Sequence, residues 1–565
     1  MAKWPWNFDS GSTNTIAAIT SIHPLLDFIK DEVGVCTMTN ADPLFIITPD
    51  IARRHCLPVH RLRLFQEGDE VRNWSLDAKG VIVLTYDDRA AILPEKEMES
   101  ELTRYLKPFR NILENRISFG NRTFKELGRP WYSYERMNAN KYKTSLFVVF
   151  CEIATHNHFV FWNEPRIFER DSPVIKLSEQ HGMEDHQLLS GLLNSSTALF
   201  WLKSVCFSKR ESADGSTDTY FVFAGGKVQQ LPMPDAVASA LRGKTNALTE
   251  RLTVLSQVCW DRGRWMPAMA MKKLFEKPGE AYHDWNMSLP GYITPDARMS
   301  LPFQTLDDLR TAFSKACNTR EELRGEMIAL QEEMDWLVYA AYGLLTIDSP
   351  AISRSLMPAP VAREQRPSVL WAQADGDFEK AVALIPAEWS DNRKTLWRAR
   401  LEAIRDSEHI RRIEQPVYKR RWDEQWKVGN RWQCGPVAYD AEFVDAFEWW
   451  LSEKVEWWLE KKAGGGPVSL EQWSGAVWQD ARVQAAWGVV REALERLERR
   501  VDFSRYFTTL IKEQSVPDNI PAAVPWEKIK TKVPAAVKRI RGKLNVPRER
   551  FRVTTDGHYV RAGMK

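Results

Sequence analysis

The sequence predicts an α+β protein in which a mixed α/β domain precedes helical domains and a basic C-terminal tail. Three observations predict it. Short runs rich in β-branched and aromatic residues recur before position 235, helical periodicity takes over from about 305, and tryptophan becomes dense after 367. A chain of 565 residues also exceeds what one core ordinarily organises, since domains run to roughly 100–200 residues.

Taken in order, Ile19, Ile22, Leu25, Leu26 and Ile29 recur at helical spacing between Thr15 and Asp31, and Gly34 supplies a stop, so a helix opens the chain. Strand-like runs follow at 44–48 (LFIIT), 81–86 (VIVLTY), 145–153 (SLFVVFCEI), 158–162 (HFVFW) and 220–225 (YFVFAG). Between the last two, residues 185–205 place Leu188, Leu189, Leu192, Leu193 and Phe200 on one side of a helix that packs across the strands. Alternate prolines in LPMPDAV, 231–237, permit neither ladder nor helix and end the first domain, taken as 1–235.

A helical connector, 236–348, comes next. Leu323, Met327, Leu330, Met334, Leu337, Ala341 and Leu344 form an a/d seam of about three heptads, long enough to pack a helix within its own domain. A Pro-rich linker, 349–367, leads to a Trp-rich helical domain, 368–500, in which Phe447, Trp450, Leu451, Val455 and Trp458 make a core-facing stripe. The remainder, 501–565, is a basic tail. From 527 onward twelve Lys and Arg face three Asp and Glu, either a nucleic-acid contact or a solvated terminus.

Composition excludes several classes. The 44% hydrophobic content with 24 Trp and 25 Phe is that of packed cores rather than disorder, and a net charge of +3 gives no global basic field. Seven widely spaced cysteines without a C-x-x-C pair read as reduced thiols, with neither a disulfide framework nor a structural zinc. The longest apolar run, at 146–154, is half of what a membrane span needs, so a cytoplasmic protein is expected.

Catalytic signatures are weak. Gly225-Gly226 and Gly464-Gly465-Gly466 lack the strand-to-helix setting of a nucleotide loop, and there is no Walker A sequence. His156 and His158 in THNHF stand two apart without a metal set, and His55, Cys56 and His60 lack a fourth ligand. DPLF at 42–45 echoes the Asn/Asp-Pro-Pro-aromatic loop of adenine methyltransferases, but Leu44 replaces the second proline. No catalytic residue is assigned.

The strongest local signal lies between Arg104 and Lys143, where ten basic residues face three acidic ones. Cations neutralise phosphates and release condensed counterions, while Asn and Arg can pair bidentately with adenine and guanine. Asn121, Asn138 and Asn140 stand among them. Trp131, Tyr132 and Tyr134 either stack on bases or anchor the loop, with the anchor favoured for Trp131.

Within and around this segment, five motifs in order resemble the target-recognition domain of type IIG restriction-modification enzymes and BREX-type phage-defence adenine-specific DNA methyltransferases. They are YLKPFRNILENRISF followed by RPWYSYER, then SLFVVFCEIA, LLSGLLNSSTALFWLK and GGKVQQLPMP. DEVGVCTMTNADPLFII resembles the turn that enters that domain, and LRGEMIALQEEMDWLVYAAYGL with LEAIRDSEHIRRIEQPVYKRRW resembles the region after it, so the likeness covers about 20–425. In that family the recognition domain follows a methyltransferase domain, whose cofactor and catalytic loops are not found here.

The resemblance therefore implies a DNA sequence-recognition, or specificity, component, with methyl transfer and S-adenosylmethionine belonging to a separately encoded methyltransferase subunit. Its other partners would be double-stranded DNA and further defence-system proteins, with no cofactor on this chain and no membrane. The residues expected on DNA are Arg116, Asn121, Arg122, Lys125, Arg129, Trp131, Tyr132, Arg136, Lys141 and Lys143, with Lys209, Arg210 and Lys227 as outlying phosphate contacts. Two other readings stay open: a truncated or complete methyltransferase acting itself, and a scaffold that binds defence proteins through its Trp-rich helices.

Overall fold

The computed structural model describes residues 10–19, 23–30, 33–142, 146–211, 219–234, 242–264, 275, 309–355, 358–422, 436–517 and 550–561, apart from positions 73, 77, 79, 165, 421, 463 and 465. The class is α+β, with small sheets among many helices. No described helix is long and apolar enough to cross a membrane.

Among the described residues the buried apolar side chains gather into three cores. The first is a small lobe built on a four-stranded sheet. Its strand Leu62–Gln66 pairs antiparallel with Gly80–Val83 and parallel with Ile167–Phe168, and Ile46–Ile47 adds to the far edge of Gly80–Val83. Leu102, Leu106, Phe109, Trp131 and Tyr134 complete that core. DPLF forms one helical turn, Asp42–Phe45, rather than the start of a strand, because Pro43 sits in its first turn where a missing N–H costs nothing.

The second and largest core surrounds the antiparallel sheet in which Phe147–Phe150 pairs with Phe159–Trp162 and Val174–Ile175. The expected helix 185–205 is two helices, Met183–Leu193 and Ser196–Val205, because the Ser195 side chain caps Ala198 and starts a new one. The long helix Leu309–Ala341 buries Met327, Leu330, Met334 and Leu337, as the seam predicts. The expected opening helix is shorter than its periodicity. It runs Ser10–Ile19, and Leu25, Leu26 and Ile29 lie beyond it because Pro24 admits no helical hydrogen bond and pushes His23 into an extended strand.

Helices Pro367–Gln373, Asp391–Asp406 and Glu408–Ile413 belong to this same core, and Val361 of the Pro-rich stretch donates to the Gly325 carbonyl. The expected boundary at 367/368 therefore falls inside continuous packing. A buried charge network registers these pieces: Lys419 Nζ reaches Asp335 (2.8 Å), Glu414 (2.7 Å) and Glu332 (3.3 Å), while Arg366 pairs with Glu332 at 2.5 Å. Ser196 donates to Asp335 through its amide and hydroxyl, and Arg420 donates to the Asn157 carbonyl and Asn194 Oδ1.

The third core is C-terminal. Helix Pro436–Lys461 turns Phe447, Trp450, Leu451 and Val455 inward against Leu470–Trp478, Ala481–Arg496 and Phe503–Glu513. The expected basic tail is partly structured. Ser515–Pro517, Phe551–Val553 and Tyr559–Arg561 form a three-stranded sheet that buries Phe551 and Tyr559 against Trp473. Most of the remaining tail cations, Lys528 to Arg548 and Lys565, lie outside the described residues.

Candidate nucleic-acid interface

The basic aromatic segment folds onto the small lobe as a hairpin followed by a tight turn. Ile117 bridges Thr123, Ser118 N–H donates to the Arg122 carbonyl, and Phe119, Gly120 and Asn121 make the tip. Gly120 and Asn121 hold φ of +85° and +59°, the left-handed backbone a tight hairpin needs and that Gly and Asn adopt most easily. Thr123 and Glu126 then cap each other: Glu126 Oε2 accepts from the Thr123 amide and hydroxyl, and the Glu126 amide donates back to that hydroxyl.

What holds this platform is a stack of cations beneath it. Phe124 is fully buried, with the Arg116 guanidinium 3.8 Å and the Arg129 guanidinium 4.3 Å from its ring centre. Arg116 donates to the carbonyls of Thr39, Trp131 and Ser133. Arg129 donates to the carbonyls of Tyr134 and Glu135 and pairs with the Glu135 carboxylate at 3.3 Å, which also accepts from Ser118. Asn40 donates to the Ile117 carbonyl from the entry turn. These ties from Asn40, Arg116, Ser118 and Arg129 fix the base of the hairpin.

This geometry reassigns several expected contacts. Arg116 is 4% exposed and spends its donors on carbonyls, so it supports the hairpin and does not reach a phosphate. Trp131 and Tyr132 are buried; Arg110 covers the Trp131 ring, and the Tyr132 hydroxyl donates to the Leu93 carbonyl. Both anchor the loop. Lys141 is buried too, its Nζ packed close to Gly34. Lys143 lies outside the described residues.

Asn121, Arg122, Lys125 and Arg136 are exposed, the first three on the hairpin and turn and Arg136 on the strand that pairs with Thr37–Met38. The outlying candidates sit on other elements. Lys209 is exposed on strand Phe207–Glu211, opposite Tyr220; Arg210 lies in that strand but its side chain is outside the described set; Lys227 is half-buried on the turn Gly225–Val228. Sequence reasoning missed Phe119, an apolar ring 66% exposed at the hairpin tip. Its signal was the turn pair Gly120-Asn121, which marks a tip and so an outward-facing neighbour.

The lobe also carries a cavity of about 430 Å³ between Asp42, Glu67 and Asp69 on one side and Glu169 and Asp171 on the other. Burial raises the Glu169 carboxyl, and Asp171, Glu67 and Asp42 raise it further, to about 7. Arg72 is the one cation among the described lining residues beside these five acidic side chains, so the cavity is net acidic and disfavours phosphate. The weak histidine motifs find structural uses. His158 lies against Arg420 at 3.2 Å, His60 pairs with Glu99 at 2.8 Å, and no group of three metal-type ligands occurs among the described residues.

Comparison with known proteins adds two findings. Residues 327–524 match a family model described as a domain of unknown function, DUF7008. The chain is also homologous to the Adenine-specific methyltransferase PglX of Streptomyces coelicolor, with 26% identity over an alignment of 617 positions that takes in 97% of this chain and 46% of the relative. It thus spans about half the length of the curated relative it matches.

Proposed function

We propose that this chain reads DNA sequence for an adenine-specific methyltransferase of a BREX-like defence system, with methyl transfer from S-adenosylmethionine made by a catalytic domain on a separate chain. The observation that carries it is the propped hairpin: cations, an amide side chain and an aromatic ring stand exposed on a platform whose buried Arg116 and half-buried Arg129 are turned onto backbone carbonyls. Preorganised donors lose little entropy on docking. Similarity to an adenine-specific methyltransferase over almost the whole chain supplies the substrate class.

In this reading Arg122, Lys125 and Arg136 meet phosphates and Asn121 reads a base edge, within the cell's cytoplasm and with a methyltransferase and further defence proteins as partners. The test is duplex binding by fluorescence anisotropy across a salt series. Replacing Arg122, Lys125 and Arg136 with Ala weakens binding to every sequence and flattens the log–log salt slope by about 0.9 per contact removed. Asn121→Ala instead relaxes base preference at one position. A chain that binds no duplex, alone or with its methyltransferase, overturns the proposal.

The relative's greater length favours a second reading, in which recognition and catalysis share one longer polypeptide. Methyl transfer from S-adenosylmethionine by the longer polypeptide, and not by the 565-residue chain, would favour it; activity of the 565-residue chain alone would instead mean that this chain is itself a methyltransferase.

A further inference from the structure

Phe119 is 66% exposed although the lobe beneath it buries every other ring of the segment 119–134: Phe124, Trp131, Tyr132 and Tyr134. Such exposure on a flexible loop means little. Here the loop is not flexible. Ser118, the preceding residue, is tied inward to Glu135 and Arg129, the Asn40 amide holds the Ile117 carbonyl, and two left-handed residues turn the chain directly after the ring. The fold therefore fixes an apolar ring outward, with Asn121, Arg122 and Lys125 exposed within the next six positions.

A rigid apolar ring with exposed cations three and six positions along the same hairpin and turn suits a polyanionic partner. The cations draw in a polyanion, and the ring then needs an apolar slot inside that polyanion. In duplex DNA the slot is the space between stacked bases, which proteins open by inserting a Phe, Leu or Met and kinking the helix. A protein partner would have to offer an apolar pocket with acidic groups placed beside it for Arg122 and Lys125, whereas a duplex carries both the slot and the charges at every step.

We infer that Phe119 is a wedge that enters a base step of the bound duplex, while Arg122 and Lys125 hold the flanking phosphates. This rests on the DNA-reading function above. It adds a specificity device: flexible pyrimidine–purine steps unstack most cheaply, so the wedge favours such a step within the recognised site without touching a base edge. Phe119 is a positioning residue, fixing where along the duplex the hairpin sits and how far the DNA bends.

The probe is a duplex selected by the 565-residue chain from a randomised pool, re-synthesised with 2-aminopurine scanned through it. Wild-type protein raises 2-aminopurine fluorescence at one step, as unstacking does. Phe119→Ala abolishes that rise and weakens binding roughly ten- to a hundred-fold, the range of a lost aromatic–base contact, with the salt slope unchanged. Phe119→Trp restores both. The Arg122→Ala, Lys125→Ala variant does the opposite, flattening the slope while the residual complex still fluoresces. The wedge is refuted if Phe119→Ala keeps the fluorescence rise, or binds within two-fold of wild type; DNA reading survives that result, because wild-type protein still selects a duplex. Failure of the wild type to select any duplex removes both.

Discussion

Replacing Glu456 with Gln removes the carboxylate on which the small N-terminal lobe and the C-terminal unit converge. Glu456 is fully buried and lies 2.8 Å from Arg550, 3.0 Å from Arg561, 3.2 Å from Arg53 and 3.6 Å from Arg54. Arg53 and Arg54 end the lobe helix Pro49–Arg54, whereas Arg550 and Arg561 belong to the C-terminal hairpin. With Asp50, Glu453 and Glu460 the cluster is charge-balanced, and the variant leaves one positive charge uncompensated. Breaking a buried pair costs about 3–5 kcal/mol. The lower end applies, since each arginine keeps a second carboxylate: Arg54 has Asp50 at 2.8 Å, Arg550 has Glu453 at 2.7 Å, Arg53 has Glu453 at 3.7 Å, and Arg561 has Glu460 at 2.5 Å. Because the chain has several cores, a single melting curve is a poor readout. Amide hydrogen exchange of residues 551–561 reports the junction locally, and a loss of about 3 kcal/mol speeds it roughly a hundred-fold. The double variant Glu456→Leu, Arg550→Met restores charge balance and exchanges more slowly than Glu456→Gln. Exchange within five-fold of wild type in Glu456→Gln would show that the cluster does not hold the junction. The same junction weakens in acid. Burial acts to raise the Asp50 carboxyl, but Arg54, Arg550 and Arg53 outweigh it and bring it from the ordinary 3.8 to about 2. Its contribution is therefore complete above about pH 4 and is lost as pH falls toward 2.

Two further variants separate support from contact. Arg116→Met strands three buried carbonyls and uncovers one side of Phe124, which costs roughly 3 kcal/mol; limited trypsin digestion then cuts at Arg122 and Lys125 faster, while the salt slope of residual DNA binding stays as it was. A digestion pattern like wild type would mean that Arg116 does not prop the hairpin. Glu169→Gln probes the acidic cavity. Burial and then Asp171, Glu67 and Asp42 lift this carboxyl from the ordinary 4.5 to about 7, so the folded protein favours the protonated form, and that stabilisation, full below pH 4.5, fades as pH rises through 7. The permanently neutral Gln escapes the loss: amide hydrogen exchange of the lining segment 66–72 matches wild type at pH 5 and is slower than wild type at pH 8. An equal gap at both pH values would count against the titration.

Much of the fold was legible because strand cores in this chain are continuous apolar runs. Phe147–Phe150 and Phe159–Trp162 are buried along their whole length, and both fall inside runs read from composition. Errors arose where one backbone group outweighed periodicity. Pro24 keeps Leu25, Leu26 and Ile29 out of an α-helix although their apolar spacing continues one, and the Ser195 hydroxyl starts a second helix inside an unbroken leucine pattern. The Pro-rich stretch at 349–367 read as a linker, yet it buries Ala351, Val361 and Arg366 against the long helix, since proline blocks regular structure without preventing packing.

The candidate site was legible in place but not in parts, and the reason is physical. The motifs that carried the family resemblance are mostly scaffold: RPWYSYER supplies buried Trp131, Tyr132, Ser133, Tyr134 and Glu135, while LQEEMDWLVY and IEQPVYKRRW supply Glu332, Asp335, Tyr339, Glu414 and Lys419 of the buried charge network. Motifs of this kind specify how a hairpin is held and leave free what it reads. Charge counting fails for a related reason. An arginine turned inward onto carbonyls looks, in sequence, the same as one waiting for a phosphate, and Arg116 and Arg129 are of the first kind. If, as proposed, Arg122, Lys125 and Arg136 are the phosphate contacts among the described residues of the hairpin region, counterion release gives a salt slope of only about −2.7. Under the proposed DNA-reading function, so shallow a slope leaves room for affinity from groups that salt does not screen, and Asn121 and Phe119 stand at the tip of the same hairpin.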